Sequence, residues 1–137
     1  MRNLNSTKTH TCMKEKIRIE YILNNVSMGM LWNSIGTAIG LSDWFADKVS
    51  VNDKIYTFEW GKLQQQAELV SVRAGYYIRF HWCDDDPKTY FELKMTPDEL
   101  TGDIALIVTD YAFADEKNDL IDLWNKQIKE LKRKYGM

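Results

Sequence analysis

The chain has little sulfur chemistry to draw on: of 137 residues only Cys12 and Cys83 are cysteines, and Cys12 lies in a polar tail, so no disulfide framework is expected. Long apolar runs are missing as well. No segment approaches the roughly 18 consecutive apolar residues that a spanning helix needs, and the first 16 residues, rich in Asn, Ser, Thr and Lys, lack the apolar stretch of a signal peptide. Reduced thiols in the cytoplasm are the resulting expectation. A dominant charge is absent too, because the formal net charge of −2 argues against a nucleic-acid or anionic-membrane surface as the main partner.

Aromatic residues are plentiful instead. Five Trp, seven Tyr and five Phe in a chain of this length predict a densely filled core or an aromatic-lined cavity. The length suits one domain, which should bury roughly 68% of the surface of its unfolded chain. Residues 1–16 read as a polar arm expected to be disordered, the first 12 of them as an upstream extension or a disordered arm, and residues 17–137 as the domain.

Along the domain the apolar period changes twice. Ile17, Ile19, Tyr21 and Leu23 alternate with Arg18 and Glu20, which predicts a strand. Ser27 is placed to cap a helix running to about Ile35, and Gly36 and Gly40 bracket a further helical turn. From Val49 to Tyr111 short alternating runs between turn residues predict an antiparallel meander. Tyr56, Phe58 and Trp60 share one face, as do Tyr76, Ile78, Phe80 and Trp82, while Arg79, His81 and Cys83 take the other. From Asp115, a candidate cap, to Tyr135 the period becomes helical, and Leu120, Ile121, Trp124, Ile128, Leu131 and Tyr135 fall on one arc. Strand, two short helices, about six strands and one long helix make an α+β layer arrangement.

Three stretches add a family resemblance: Leu31-Trp32 on the first helix, Gly40–Asp47 (GLSDWFAD) after it, and Leu123-Trp124 on the last helix. With them the chain resembles the START-like superfamily from about Ile17 to Tyr135, in the branch related to the activator of the heat-shock-protein ATPase. It is most similar to small single-domain START-like proteins of bacteria, in which Tyr56–Gly61 (YTFEWG) and Asp98–Asp103 (DELTGD) have counterparts. Relatives often carry Pro at the entry to the first helix, where this chain has Val26-Ser27-Met28 and the Ser27 cap does the same work. The resemblance implies a helix-grip fold, a curved antiparallel sheet wrapped around the long C-terminal helix. It also implies a range of roles, from binding lipids, hormones or polyketides to cavity catalysis and chaperone assistance.

Candidate chemistry is thin by comparison. His81 and Cys83 fall on one strand face as a conceivable base and nucleophile, but no third orienting group accompanies them. Two such side chains also fall short of the four ligands of structural zinc. Asp84, Asp85 and Asp86 read as a solvated turn closed by Pro87, and Asp98, Glu99 and Asp103 as a hairpin connection. The lysines of the last helix balance acids at its start, matching the helix dipole. Glu59 and Arg79 lie on the polar faces of strands read as neighbours, where they can form a cross-strand ion pair, and with His81 they become polar cavity groups only if that face is the concave one. The seven rings Trp44, Phe58, Trp60, Phe80, Trp82, Phe91 and Trp124 are the candidates to line or fill a cavity.

The expectation is therefore a non-enzymatic domain that binds a small apolar or amphipathic ligand between sheet and final helix, with no metal, cofactor or nucleic acid. A protein-interaction module with a filled core, chaperone-linked by resemblance, is the alternative, and a cavity enzyme the third reading.

Overall fold

The computed structural model describes residues 13–137, so the expected disorder of the first 12 lies outside the described residues. Strand β1 spans Glu15–Leu23, followed by helices α1 (Met28–Ile35) and α2 (Ala38–Trp44). Six strands come next: β2 (Lys48–Asn52), β3 (Ile55–Trp60), β4 (Leu63–Arg73), β5 (Tyr77–Trp82), β6 (Phe91–Pro97) and β7 (Ile104–Ala112). A 3₁₀ turn at Ala114–Glu116 leads into helix α3 (Lys117–Tyr135). The sheet order is β1-β7-β6-β5-β4-β3-β2, antiparallel throughout. This is the expected α+β helix-grip arrangement.

Local chemistry accounts for the helix starts. Ser27 Oγ accepts from the Met30 N–H at 3.1 Å, and Thr37 Oγ1 accepts from the Gly40 N–H at 2.9 Å, each satisfying a first-turn donor. Gly40 is also where α2 meets α1. A Cβ there would stand 1.9 Å from the Asn33 carbonyl oxygen, so only glycine permits the approach.

One face of the sheet packs on α3. Leu120, Trp124, Ile128 and Leu131 of α3 are buried. They meet Phe58, Ala67, Ile78, Phe80, Trp82, Phe91, Leu93 and Val108 from alternate strand positions in one continuous core. A register shift between Leu69 and Ser71 leaves Val70 as an extra residue, the kind of bulge that bends a strand.

Several boundaries differ from expectation. β1 begins two residues early, because Glu15 and Lys16 continue the register against Ala112 and Tyr111. Tyr76 belongs to the turn before β5, its N–H on the Arg73 carbonyl, and is half exposed. Asp115 lies inside the 3₁₀ turn, and Glu116 takes the cap position of α3 without a side-chain bond to it. The α2 helix runs on through Trp44, past the short turn that Gly36 and Gly40 suggested.

Candidate functional site

The seven candidate rings come together. Phe80 and Trp82 stack on Phe91 at centroid separations of 5.2 and 4.9 Å, and Phe58 meets Phe80, Trp82 and Trp60 at 5.9, 5.6 and 6.1 Å. Phe45, which sequence reasoning left out of the candidate set, links the remainder: it lies 5.6 Å from Trp44, 5.8 Å from Trp60 and 5.7 Å from Trp124. Edge-to-face and offset arrangements of this kind fill space efficiently. Phe58, Phe80 and Trp124 are fully buried. The Trp124 indole N–H donates to Asp110 Oδ2 at 2.8 Å, which anchors α3 to β7 through a buried carboxylate.

At one end this interior opens. A groove of about 530 Å³ runs between the α2–β2 connection and α3. Its apolar lining is Trp44, Phe45, Trp60 and Leu123, and its polar rim is Ser42, Asp43, Asp47, Lys126, Gln127 and Glu130. The connection is tied to β3, α3 and the turn after β3 by hydrogen bonds. Its Phe45 carbonyl accepts from Trp60 Nε1 at 2.8 Å and from Gln127 Nε2 at 3.2 Å. Asp47 Oδ2 accepts from the Gly61 N–H at 2.8 Å, where Gly61 turns at φ 59°. Asp43 Oδ2 accepts from the Tyr135 hydroxyl at 2.6 Å, and Glu130 pairs with Arg133. The α3 contributors Leu123, Lys126, Gln127 and Glu130 follow 3, 4 and 7 residue steps, a helical stripe beside the core stripe. That spacing was the available signal.

The three polar candidates sit elsewhere. Strand alternation turns Phe58 and Phe80 inward and therefore Glu59, Arg79 and His81 outward, away from the aromatic interior. Glu59 and Arg79 are not cross-strand neighbours either, since β4 lies between β3 and β5. Glu59 instead faces Lys48 at 3.9 Å. Arg79 donates from Nε and Nη2 to Glu92 at 2.8 Å and lies 4.0 Å from the centre of the Tyr90 ring. His81 Nδ1 is 2.8 Å from the Thr89 carbonyl oxygen, an obligate acceptor, so Nδ1 carries the hydrogen. Arg79 and His81 share a shallow outer groove of about 460 Å³ with Glu68, Lys88 and Tyr90.

Cys83 follows β5 and is exposed. Partial burial pushes its thiol pKa up, and the charges of Glu68 and Asp84 push it the same way. The thiol thus stays protonated near neutral pH, unlike an activated nucleophile. Among the described residues no three His, Cys, Asp or Glu side chains gather closely enough to hold a metal ion. No described helix is long and apolar enough to cross a membrane.

Comparison with known proteins places this geometry. The family model of the START-like superfamily domain matches residues 11–137. A Bacteroides fragilis protein solved by NMR in solution is 52% identical over 88% of this chain and 90% of its own, with a TM-score of 0.64. DynU16, from the dynemicin biosynthetic locus, is 16% identical, with a TM-score of 0.73 over 86% of this chain and 46% of that one. The Aha1 dimer from Colwellia psychrerythraea is 11% identical, with a TM-score of 0.67 over 85% of this chain and 90% of its own. The last two likenesses are of fold alone. No curated protein matches the chain.

Proposed function

This chain belongs to the START-like superfamily, and from that premise we propose that it binds a small amphipathic molecule at the mouth of its aromatic interior, in the groove between the α2–β2 connection and α3. One observation carries the reading: the groove floor is made by Trp44, Phe45 and Trp60, rings continuous with the core, while its rim is polar. An apolar body with one polar end matches that division. With Glu130 paired to Arg133, the rim sets the carboxylates of Asp43 and Asp47 against Lys126, a net negative balance that favours a polar end that donates hydrogen bonds or carries positive charge. The domain acts by binding rather than by chemistry, in a reducing cytoplasm that suits the exposed free thiol of Cys83.

A tryptophan-fluorescence titration with an alkylammonium and an alkylcarboxylate of equal chain length tests this. The ammonium should bind more tightly, and Trp60→Ala should weaken it about tenfold, since burying a ring face is worth on the order of 1–2 kcal/mol. Equal affinity for both probes, unchanged by Trp60→Ala, refutes the groove.

The dense contacts among the interior rings support a second reading, a protein-interaction module related in fold to co-chaperones. Ile39, 80% exposed on α2, is the apolar side chain best placed for that role beside the same groove-forming helix. Loss of a protein partner on Ile39→Asp, with probe binding unchanged, would select it.

A further inference from the structure

Strand β1 is an edge of the sheet: β7 lies on one side of it, and no strand of the described residues lies on the other. Edge strands are ordinarily protected by shortness, by proline, by a bulge, by charged side chains or by a covering helix or loop. The opposite edge, β2, has only five residues and opens on Lys48. β1 is different, with nine residues, no Pro or Gly, and an unbroken register from Glu15 to Leu23 against β7.

Its outward row does carry charge, but of both signs. Arg18 and Glu20 are exposed, and neither forms an ion pair within the described residues. We propose that the β1 edge pairs antiparallel with β1 of a second copy of this chain, about a two-fold axis at Ile19, so that two sheets join into one.

The register follows from geometry and charge. Residues paired across antiparallel strands point to the same face, so the two-fold axis must pass through a residue rather than between two. An axis at Arg18 opposes Arg18 to itself and, although it sets Lys16 against Glu20, pairs only residues 15–21 of the strand, and one at Glu20 opposes Glu20 to itself. An axis at Ile17 sets Lys16 against Arg18, and one at Tyr21 leaves both charges without a partner while shortening the overlap. Only the Ile19 axis sets Arg18 of each copy against Glu20 of the other, twice, with all nine residues paired. Opposite charges directly across a strand pair stabilise it and like charges destabilise it. A two-fold interface of this kind is self-complementary and closes at two copies, which also ends the exposure of the edge.

Sedimentation of the full chain over a concentration series at low salt tests the pairing. The wild type should approach twice its 16.1 kDa chain mass, and added salt should weaken the association. R18E and E20R should each weaken it about tenfold or more, because both replace two attractive pairs with two repulsive ones. Unchanged circular dichroism checks that the fold survives. The double variant R18E/E20R should regain wild-type association, and an equimolar mixture of the two single variants should form a mixed dimer. A wild type that keeps the single-chain mass throughout overturns the proposal. So does a dimer indifferent to either reversal, or a double variant no better than the singles.

Discussion

Trp124 and Trp60 belong to one connected set of rings, joined through Phe45, yet they occupy opposite conditions. Trp124 is fully buried, with its indole N–H on the carboxylate of Asp110. Trp60 is only half-buried, with its N–H on the Phe45 carbonyl and part of its ring in the groove. The difference comes from what covers each one. Trp124 of α3 is enclosed by Asp110 of β7 and Phe91 of β6, whereas Trp60 on β3 is covered by Phe45 of the α2–β2 connection. Within one connected set of rings, Trp124 is thus enclosed by its neighbours while Trp60 keeps part of its surface open beside the groove.

The largest expected effect lies at the closed end. Trp124→Ala removes a ring packed on Phe45 and Phe91 and should cost about 3–5 kcal/mol in urea unfolding. A loss below about 1 kcal/mol would mean that the centre is already hollow. Gly40→Ala should come next, at about 3 kcal/mol, since its methyl group meets backbone atoms of Asn33 and Ser34 that cannot swing away. That variant moves α2, so it should also disturb the groove, and an unchanged thermal midpoint would contradict the α1–α2 contact.

A pH titration probes the border of the closed region more gently. Tyr21 faces α3 and donates its hydroxyl to Asn125 Oδ1 at 2.7 Å, and burial raises its pKa from 10.0 to about 12. The unfolded chain loses that proton first. Stability from this group is therefore full below pH 10 and is lost as pH rises toward about 12. Tyr56, raised by burial in the same direction, adds to the fall. Tyr21→Phe should flatten the decline in chemical-denaturation midpoints across that window, and an unaltered slope would show the phenol to be solvated. The smallest effect belongs outside both regions. Arg79→Met removes an ion pair and a stacking contact on the half-exposed outer face and should cost about 1 kcal/mol or less in the same urea assay. A loss as large as that of Trp124→Ala would mean that the outer face, too, is structural core.

Much of the fold was legible because two periods carry it. Alternation of Phe58 with Glu59 and of Phe80 with His81 marks which face turns inward, and the arc of Leu120, Trp124, Ile128 and Leu131 marks what lies against it. Ser27 could be read as a cap because its hydroxyl meets a need that every helix start has. Gln64, Gln65 and Gln66 gave no sign of strand, since three polar residues in a row have no alternation. Pairing with Thr57, Phe58 and Glu59 recruits them into β4 all the same. The site was harder. Periodicity tells which way a ring points but not whether its neighbours interlock, so lining and filling looked alike. The groove joins Phe45 to Gln127 across 82 positions of sequence, and no local pattern announces that contact.

On the proposed reading a ligand meets the groove lined by Trp44 and Trp60 and does not enter between sheet and α3. The five indole N–H resonances, followed by NMR while an alkylammonium amphiphile is added, test it most directly. Trp44 and Trp60 should shift and saturate together while Trp82 and Trp124 stay in place. Saturable shifts of Trp82 and Trp124 that track those of Trp60 would show the ligand entering between sheet and helix, and would contradict the account.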